Sequence, residues 1–101
     1  MITLSIRYTI AARKRQEFEQ YARALGPIIP RCGGKIVGYW LPTKFFGPTN
    51  AALALIDFES LAAYEQYRER LAKDPDNVKA IQRAEESGCI LVEDRAVLER
   101  V

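Results

Sequence analysis

Residues Ala51–Ile56 read Ala-Ala-Leu-Ala-Leu-Ile, an unbroken apolar run between Asn50 and Asp57. A run this short and this apolar predicts a strand buried on both faces. Upstream, Gly33-Gly34 opens a second strand over Lys35–Leu41, which Pro42 closes, with Gly38 in its interior. An interior glycine marks a bulge or the close approach of another group. Gly33 to Phe58 is therefore a hairpin whose second arm is too apolar for one sheet covered by helices on one side. It predicts a sheet centre whose free face packs against another copy of the chain.

The rest of the chain supplies the frame. Ile2, Leu4, Ile6, Tyr8 and Ile10 alternate with Thr3, Ser5, Arg7 and Thr9, the clearest strand in the sequence. From Ala12 to Leu25, Phe18, Tyr21, Ala22 and Leu25 fall at helical spacing; Gly26-Pro27 is expected to stop or kink that helix, with Ile28 and Ile29 suited to one further apolar turn before Pro30. Ser60 is the expected cap of a helix over Leu61–Lys73, with Tyr64 in the core and Tyr67 on its flank. Asp74-Pro75-Asp76 breaks it and starts a third helix through Ser87. A strand from Cys89 to about Glu93 and a tail over Arg95–Val101 complete the order β-α-β-β-α-α-β.

That order predicts an α+β, ferredoxin-like βαββααβ antiparallel sheet with every helix on one face. The bare face is expected to be covered by a second protomer, giving a twofold dimeric α+β barrel. At 101 residues the chain is expected to be one domain, residues 1–101.

Composition narrows the chemistry. The chain has no histidine, which removes the commonest general base, metal ligand and haem ligand, along with Ser-His-Asp and Cys-His mechanisms. No acidic loop of the EF-hand kind is present, so neither a metal nor any other cofactor is expected. A net charge of +2, from 15 basic and 13 acidic residues, is too weak to predict nucleic-acid binding. No apolar stretch reaches the roughly 20 residues of a membrane span, and the start of the chain lacks a signal-peptide pattern, so the expected location is cytoplasmic. Cys32 and Cys89 are then expected as reduced structural thiols. The run Arg13-Lys14-Arg15 is expected to be a solvated helix face.

The segment Phe46-Gly47-Pro48-Thr49-Asn50-Ala51, continuing to Arg68, resembles small bacterial members of the NIPSNAP family. So do Leu71-Ala72-Lys73-Asp74-Pro75-Asp76, the opening Ile6-Arg7-Tyr8, the Gly34 to Trp40 strand and the ending Glu85 to Leu91. The likeness covers nearly the whole chain and implies a dimeric α+β barrel. It departs from the family pattern at Ala11-Ala12, where the family usually has Pro-Gly, and in its Arg7-Tyr8 spacing. Cys32 stands where the family often has a histidine, so no histidine-based role carries over. The family implies no agreed reaction.

Four residues are candidates for ligand binding: Arg7, Tyr39, Trp40 and Asp57. Arg7 sits on the hydroxylic face of the first strand, where a guanidinium can hold a carboxylate or enolate oxygen. The alternative is a structural ion pair with Asp57 or Glu93. Tyr39 and Trp40 lie on opposite faces, so only one of them faces the barrel interior, and either ring stacks on a planar ligand or serves as packing. The functional alternatives are a homodimeric barrel binding a small hydrophobic or aromatic molecule, a cofactor-free monooxygenase acting on electron-rich aromatics, as in proteins of similar dimeric-barrel class, and a purely structural or partner-binding dimer.

Overall fold

A computed structural model describes residues Met1–Val101. Its elements are β1 (Ile2–Ile10), a 3-10 turn (Ala12–Lys14), α1 (Arg15–Cys32), β2 (Lys35–Trp40), β3 (Ala51–Phe58), α2 (Leu61–Lys73), α3 (Pro75–Ser87) and β4 (Ile90–Glu99). The four strands lie in the order β2-β3-β1-β4, and every neighbouring pair is antiparallel. This is the ferredoxin-like α+β arrangement expected from the chain order.

Strand alternation decides what is covered. Leu4, Ile6, Tyr8 and Ile10 of β1 and Ala52, Ala54, Ile56 and Phe58 of β3 are buried beneath the helices. They meet Phe18, Leu25, Ile28 and Ile29 of α1 and Tyr67 of α2 in one core. Phe18 packs edge-on against Tyr8 with ring centroids 4.9 Å apart, and Phe58 lies 4.7 Å from Tyr67. Tyr67 is thus the buried member of its pair and Tyr64 the partly buried one, the reverse of the expectation. On the other face of β3, Leu53 and Leu55 are only partly buried, so the single chain fully covers one side of this apolar strand.

Two elements run further than the local sequence predicts. The first helix does not stop at Gly26-Pro27 but continues to Cys32 with Pro27 and Pro30 inside it. A proline inside a helix costs about 3 kcal/mol or more. Burial of Ile28, Ile29 and Cys32 in the last turns offsets that cost, at roughly 1.5–3 kcal/mol for each large aliphatic side chain. Gly26, having no Cβ, also avoids the usual clash before a proline. The helix ends in a Schellman motif, with the Gly33 N–H donating to the Pro30 carbonyl and the Gly34 N–H to that of Ile29.

The last strand likewise does not give way to a tail near Glu93; β4 pairs with β1 from Ile10↔Ile90 out to Ile2↔Glu99. Nearly all of β4 is exposed, which removes the hydrophobic alternation that announces a strand.

The helix corners are locally encoded. Ser60 Oγ accepts from the Ala63 N–H at 3.1 Å, and Asp74 accepts from the N–H groups of Asp76 and Asn77. Arg31 of α1 grips both oxygens of Asp74, at 2.9 and 2.8 Å, and ties the helices together. The Lys14 ammonium donates to the Ser87 carbonyl and joins the start of α1 to the end of α3. No helix is long and apolar enough to cross a membrane.

Candidate functional site

The sheet divides the expected ligand residues between its two faces. A bulge in β2 is responsible: Ile36 pairs with Ile56, but the next pair is Gly38 with Leu55, so Val37 is the extra residue. Tyr39 then pairs with Ala54 and turns under the helices, whereas Trp40 pairs with Leu53 and lies on the open face. The indole folds back over Gly38, where an added Cβ would stand 2.7 Å from a ring carbon.

Arg7 and Trp40 are brought together. With Leu41, Leu53 and Asp94 they line an open depression of about 430 Å³ on the uncovered sheet face. Arg7 sits opposite Leu53 on one side and Asp94 on the other. The alternative ion pairs for Arg7 are not formed. Asp57 accepts from the Thr3 hydroxyl at 2.6 Å and from Arg100 at 3.3 Å, while Glu93 is paired with Arg95 at 3.0 Å. Asp57 lies at the opposite end of that face from Trp40, only 6% exposed and satisfied by its own partners.

Tyr39 belongs to a second, more enclosed space between the sheet and the helices, a cavity of about 170 Å³. Ile6, Ile29 and Ile56 form part of its wall, and Tyr8, Tyr21, Tyr39 and Tyr67 surround it. Tyr8 and Tyr39 stack with centroids 6.4 Å apart and an interplanar angle of 26°. Two cations reach the same cavity from opposite layers, Arg68 on α2 and Arg95 on β4. Arg95 points to the helix side because it pairs with Ile6, and Glu93 does so because it pairs with Tyr8.

The electrostatics of this cavity favour neutral phenols. Burial raises the pKa of Tyr8, Tyr21 and Tyr67 well above the ordinary tyrosine range. Tyr39 is pushed up to about 12, again chiefly by burial, while the Tyr8 hydroxyl acts in the opposite direction and favours its phenolate. At neutral pH these groups are hydrogen-bond donors and acceptors rather than bases. No cluster of three or more carboxylates or thiols gathers anywhere in the fold to hold a metal.

Sequence reasoning did not single out Tyr8, Tyr21, Tyr67, Arg68 or Arg95 as site residues. Tyr8, Tyr21 and Tyr67 carry helical or strand spacing that reads as core or its flank, which they also are. The spacing of Glu93, Arg95 and Val97 was the available signal for Arg95, legible only once β4 is paired to its end.

The NIPSNAP family model matches residues 4–101 of the chain. None of the curated proteins matches it. Among solved structures, a NIPSNAP family protein from Agrobacterium tumefaciens strain C58 is similar at 25% identity and a TM-score of 0.82, over 99% of this chain and 92% of that one. An uncharacterized NIPSNAP domain protein from Burkholderia xenovorans is similar at 22% identity and a TM-score of 0.81, over 100% of this chain and 95% of that one. SnoaB, a cofactor-independent oxygenase from Streptomyces nogalater, shares the fold at 14% identity and a TM-score of 0.67, over 99% of this chain and 92% of that one. With the family match running through all four strands and all three helices, the chain belongs to the NIPSNAP family.

Proposed function

We propose that the protein is a homodimeric binding protein for a small, single-ring aromatic molecule held between its sheet and its helices. The observation that carries this reading is the tyrosine-lined cavity of about 170 Å³. An apolar cavity of about 150 Å³ holds benzene, so this one suits a single ring and is too small for a fused polycycle. Tyr8 and Tyr39 offer their faces for stacking, and the neutral hydroxyls offer hydrogen bonds without charge repulsion. Tyr39 contacts the ligand, and Arg7, Trp40 and Asp57 belong to the face between protomers.

The dimer part of the proposal rests on the open sheet face. Leu53 and Leu55 are partly buried, and Trp40, Val92 and Leu98 are about half exposed, at 47%, 47% and 50%. Two such faces packed together remove all of these side chains from water, and sheets pack face to face in this way at about 10 Å.

Titration of the isotope-labelled protein with phenol, benzyl alcohol, benzamide and their naphthyl counterparts tests the cavity by amide shifts. Saturable shifts around Ile6, Tyr39 and Tyr67 are expected for the single-ring compounds, with the naphthyl series at least tenfold weaker. Absence of saturable binding by every single-ring compound at millimolar concentration overturns the reading.

The likeness to SnoaB favours a second reading, a cofactor-free oxygenase acting on an electron-rich aromatic. The raised phenols are poor bases for deprotonating a substrate at neutral pH, which favours binding without turnover. Oxygen-electrode measurements with hydroquinones separate the two: steady, protein-dependent oxygen uptake supports the oxygenase.

A further inference from the structure

We propose that the cavity selects an aromatic carboxylate, with the ring among Tyr8, Tyr39 and Tyr67 and the carboxylate held at Arg95 and Arg68; this rests on the reading of the cavity as an aromatic-binding site. The charge distribution is the starting point. Arg68 and Arg95 line the cavity, and no Asp or Glu does. Glu93 is the carboxylate paired with Arg95, none is paired with Arg68, and the cavity lining itself is therefore cationic.

Arg95 is incompletely used. Its Nη2 donates to Glu93 Oε2 at 3.0 Å, and that is its only hydrogen bond to the protein. A guanidinium carries five N–H donors in a flat fork that matches a carboxylate in two-point contact. Its Nε and Nη1 make no hydrogen bond to the protein, and its side chain is 37% exposed at the rim of a largely apolar space. Partial removal from water makes an unmet donor more costly and an incoming anion more strongly held. Arg68 has no ion pair of its own.

The two arginines differ in origin. Arg95 comes from the edge strand and Arg68 from the helix layer, so the cations approach one mouth from two sides. The phenols lie deeper and remain protonated, so none repels an anion. The ring volume and the charge therefore point to the same molecule, one aromatic ring bearing a planar anionic group. Glu93 acts as an internal competitor that holds Arg95 until the ligand arrives.

Calorimetric titration with benzoate and with benzamide tests this directly, because the two share shape and differ in charge. Benzoate is expected to bind at least tenfold tighter at low ionic strength, with the gap narrowing as salt is added. Glu93→Gln removes the competitor and is expected to tighten benzoate severalfold while leaving benzamide unchanged. Arg95→Gln is expected to abolish the preference. Benzamide binding as tightly as benzoate to the wild-type protein overturns the carboxylate proposal and leaves the aromatic cavity standing. Failure of both ligands to bind overturns the two readings together. The wild-type comparison decides the matter even if Arg95→Gln fails to fold.

Discussion

Gly34→Ala places a methyl group where the layers meet most closely. The added Cβ would lie 2.8 Å from Ile29 Cγ2, 3.0 Å from Ile56 Cγ2 and 3.3 Å from Phe58 Cε1. Comfortable carbon–carbon separation begins at about 3.5 Å, so the first two contacts fall short by about 0.7 and 0.5 Å. Ile29, Ile56 and Phe58 are 1%, 1% and 2% exposed. The two struck Cγ2 atoms sit on Cβ, close to the backbone, so relief requires a rotamer change into the cavity or a shift of the layers. The Gly34 backbone does not move aside freely, because its N–H is bonded to the Ile29 carbonyl at 3.0 Å. Overpacking of a core costs about 1–3 kcal/mol, and this pinned geometry belongs in the upper half of that range. For a chain of this size, a loss of that order lowers the melting temperature by about 10–20 °C.

The assay is urea unfolding followed by circular dichroism, with the midpoint and slope measured together. Ile29→Leu removes the branch methyl that the new Cβ strikes, so the double variant should lose less than the sum of the singles by at least about 0.5 kcal/mol. Gly33→Ala is the contrasting case. Its nearest neighbour to an added Cβ is Arg70 Nη1 at 3.6 Å, but its φ is +108°, so it fails through backbone strain alone, at roughly 1–2 kcal/mol. No Ile29 substitution should rescue it. Because Ile29 and Ile56 also line the cavity, Gly34→Ala should weaken single-ring ligands as well. A change in stability below about 0.5 kcal/mol would refute the packing argument, since that is the scale of an unconstrained surface site.

Three further outcomes are expected. Tyr39 is raised to about 12 in the fold, and Tyr8, Tyr21 and Tyr67 are raised further, so their contribution to stability is complete below the unfolded value near 10 and is lost as pH climbs through the folded values. Absorbance at 295 nm should show these phenolates arriving together with alkaline unfolding, and four independent titrations near pH 10 in an intact fold contradict the burial. Asp57→Ala strands the Thr3 hydroxyl and frees Arg100, a loss of about 1–3 kcal/mol measurable by the same urea curves. Leu53→Glu puts a charge at the centre of the open face and should convert a dimer to a well-folded monomer by light scattering; a wild-type monomer at micromolar concentration defeats the dimer proposal outright.

Much of this architecture is written locally. The alternation of Ile2–Ile10, the apolar run of Ala51–Ile56, the Ser60 cap and the Asp74-Pro75 break each specify their element through short-range chemistry, and their order fixes the ferredoxin-like sheet. The end of α1 was only partly legible: Gly26-Pro27 signals a stop or a kink, Ile28 and Ile29 suit one further apolar turn, and burial of Ile28, Ile29 and Cys32 carries the helix past Pro30 as well. The run of β4 beyond Glu93 was not legible, since a strand exposed on both faces has no hydrophobic period and depends on its register against β1. The site depended most on tertiary structure. Counting by twos from Ile36 puts Trp40 under the helices and Tyr39 outside, and the extra residue Val37 reverses both. The sequence by itself determined that a tyrosine and a tryptophan stand back to back in β2; the bulge, fixed by pairing with β3, decided that the tyrosine joins Tyr8 and Arg95 around the cavity while the tryptophan joins Arg7 on the open face.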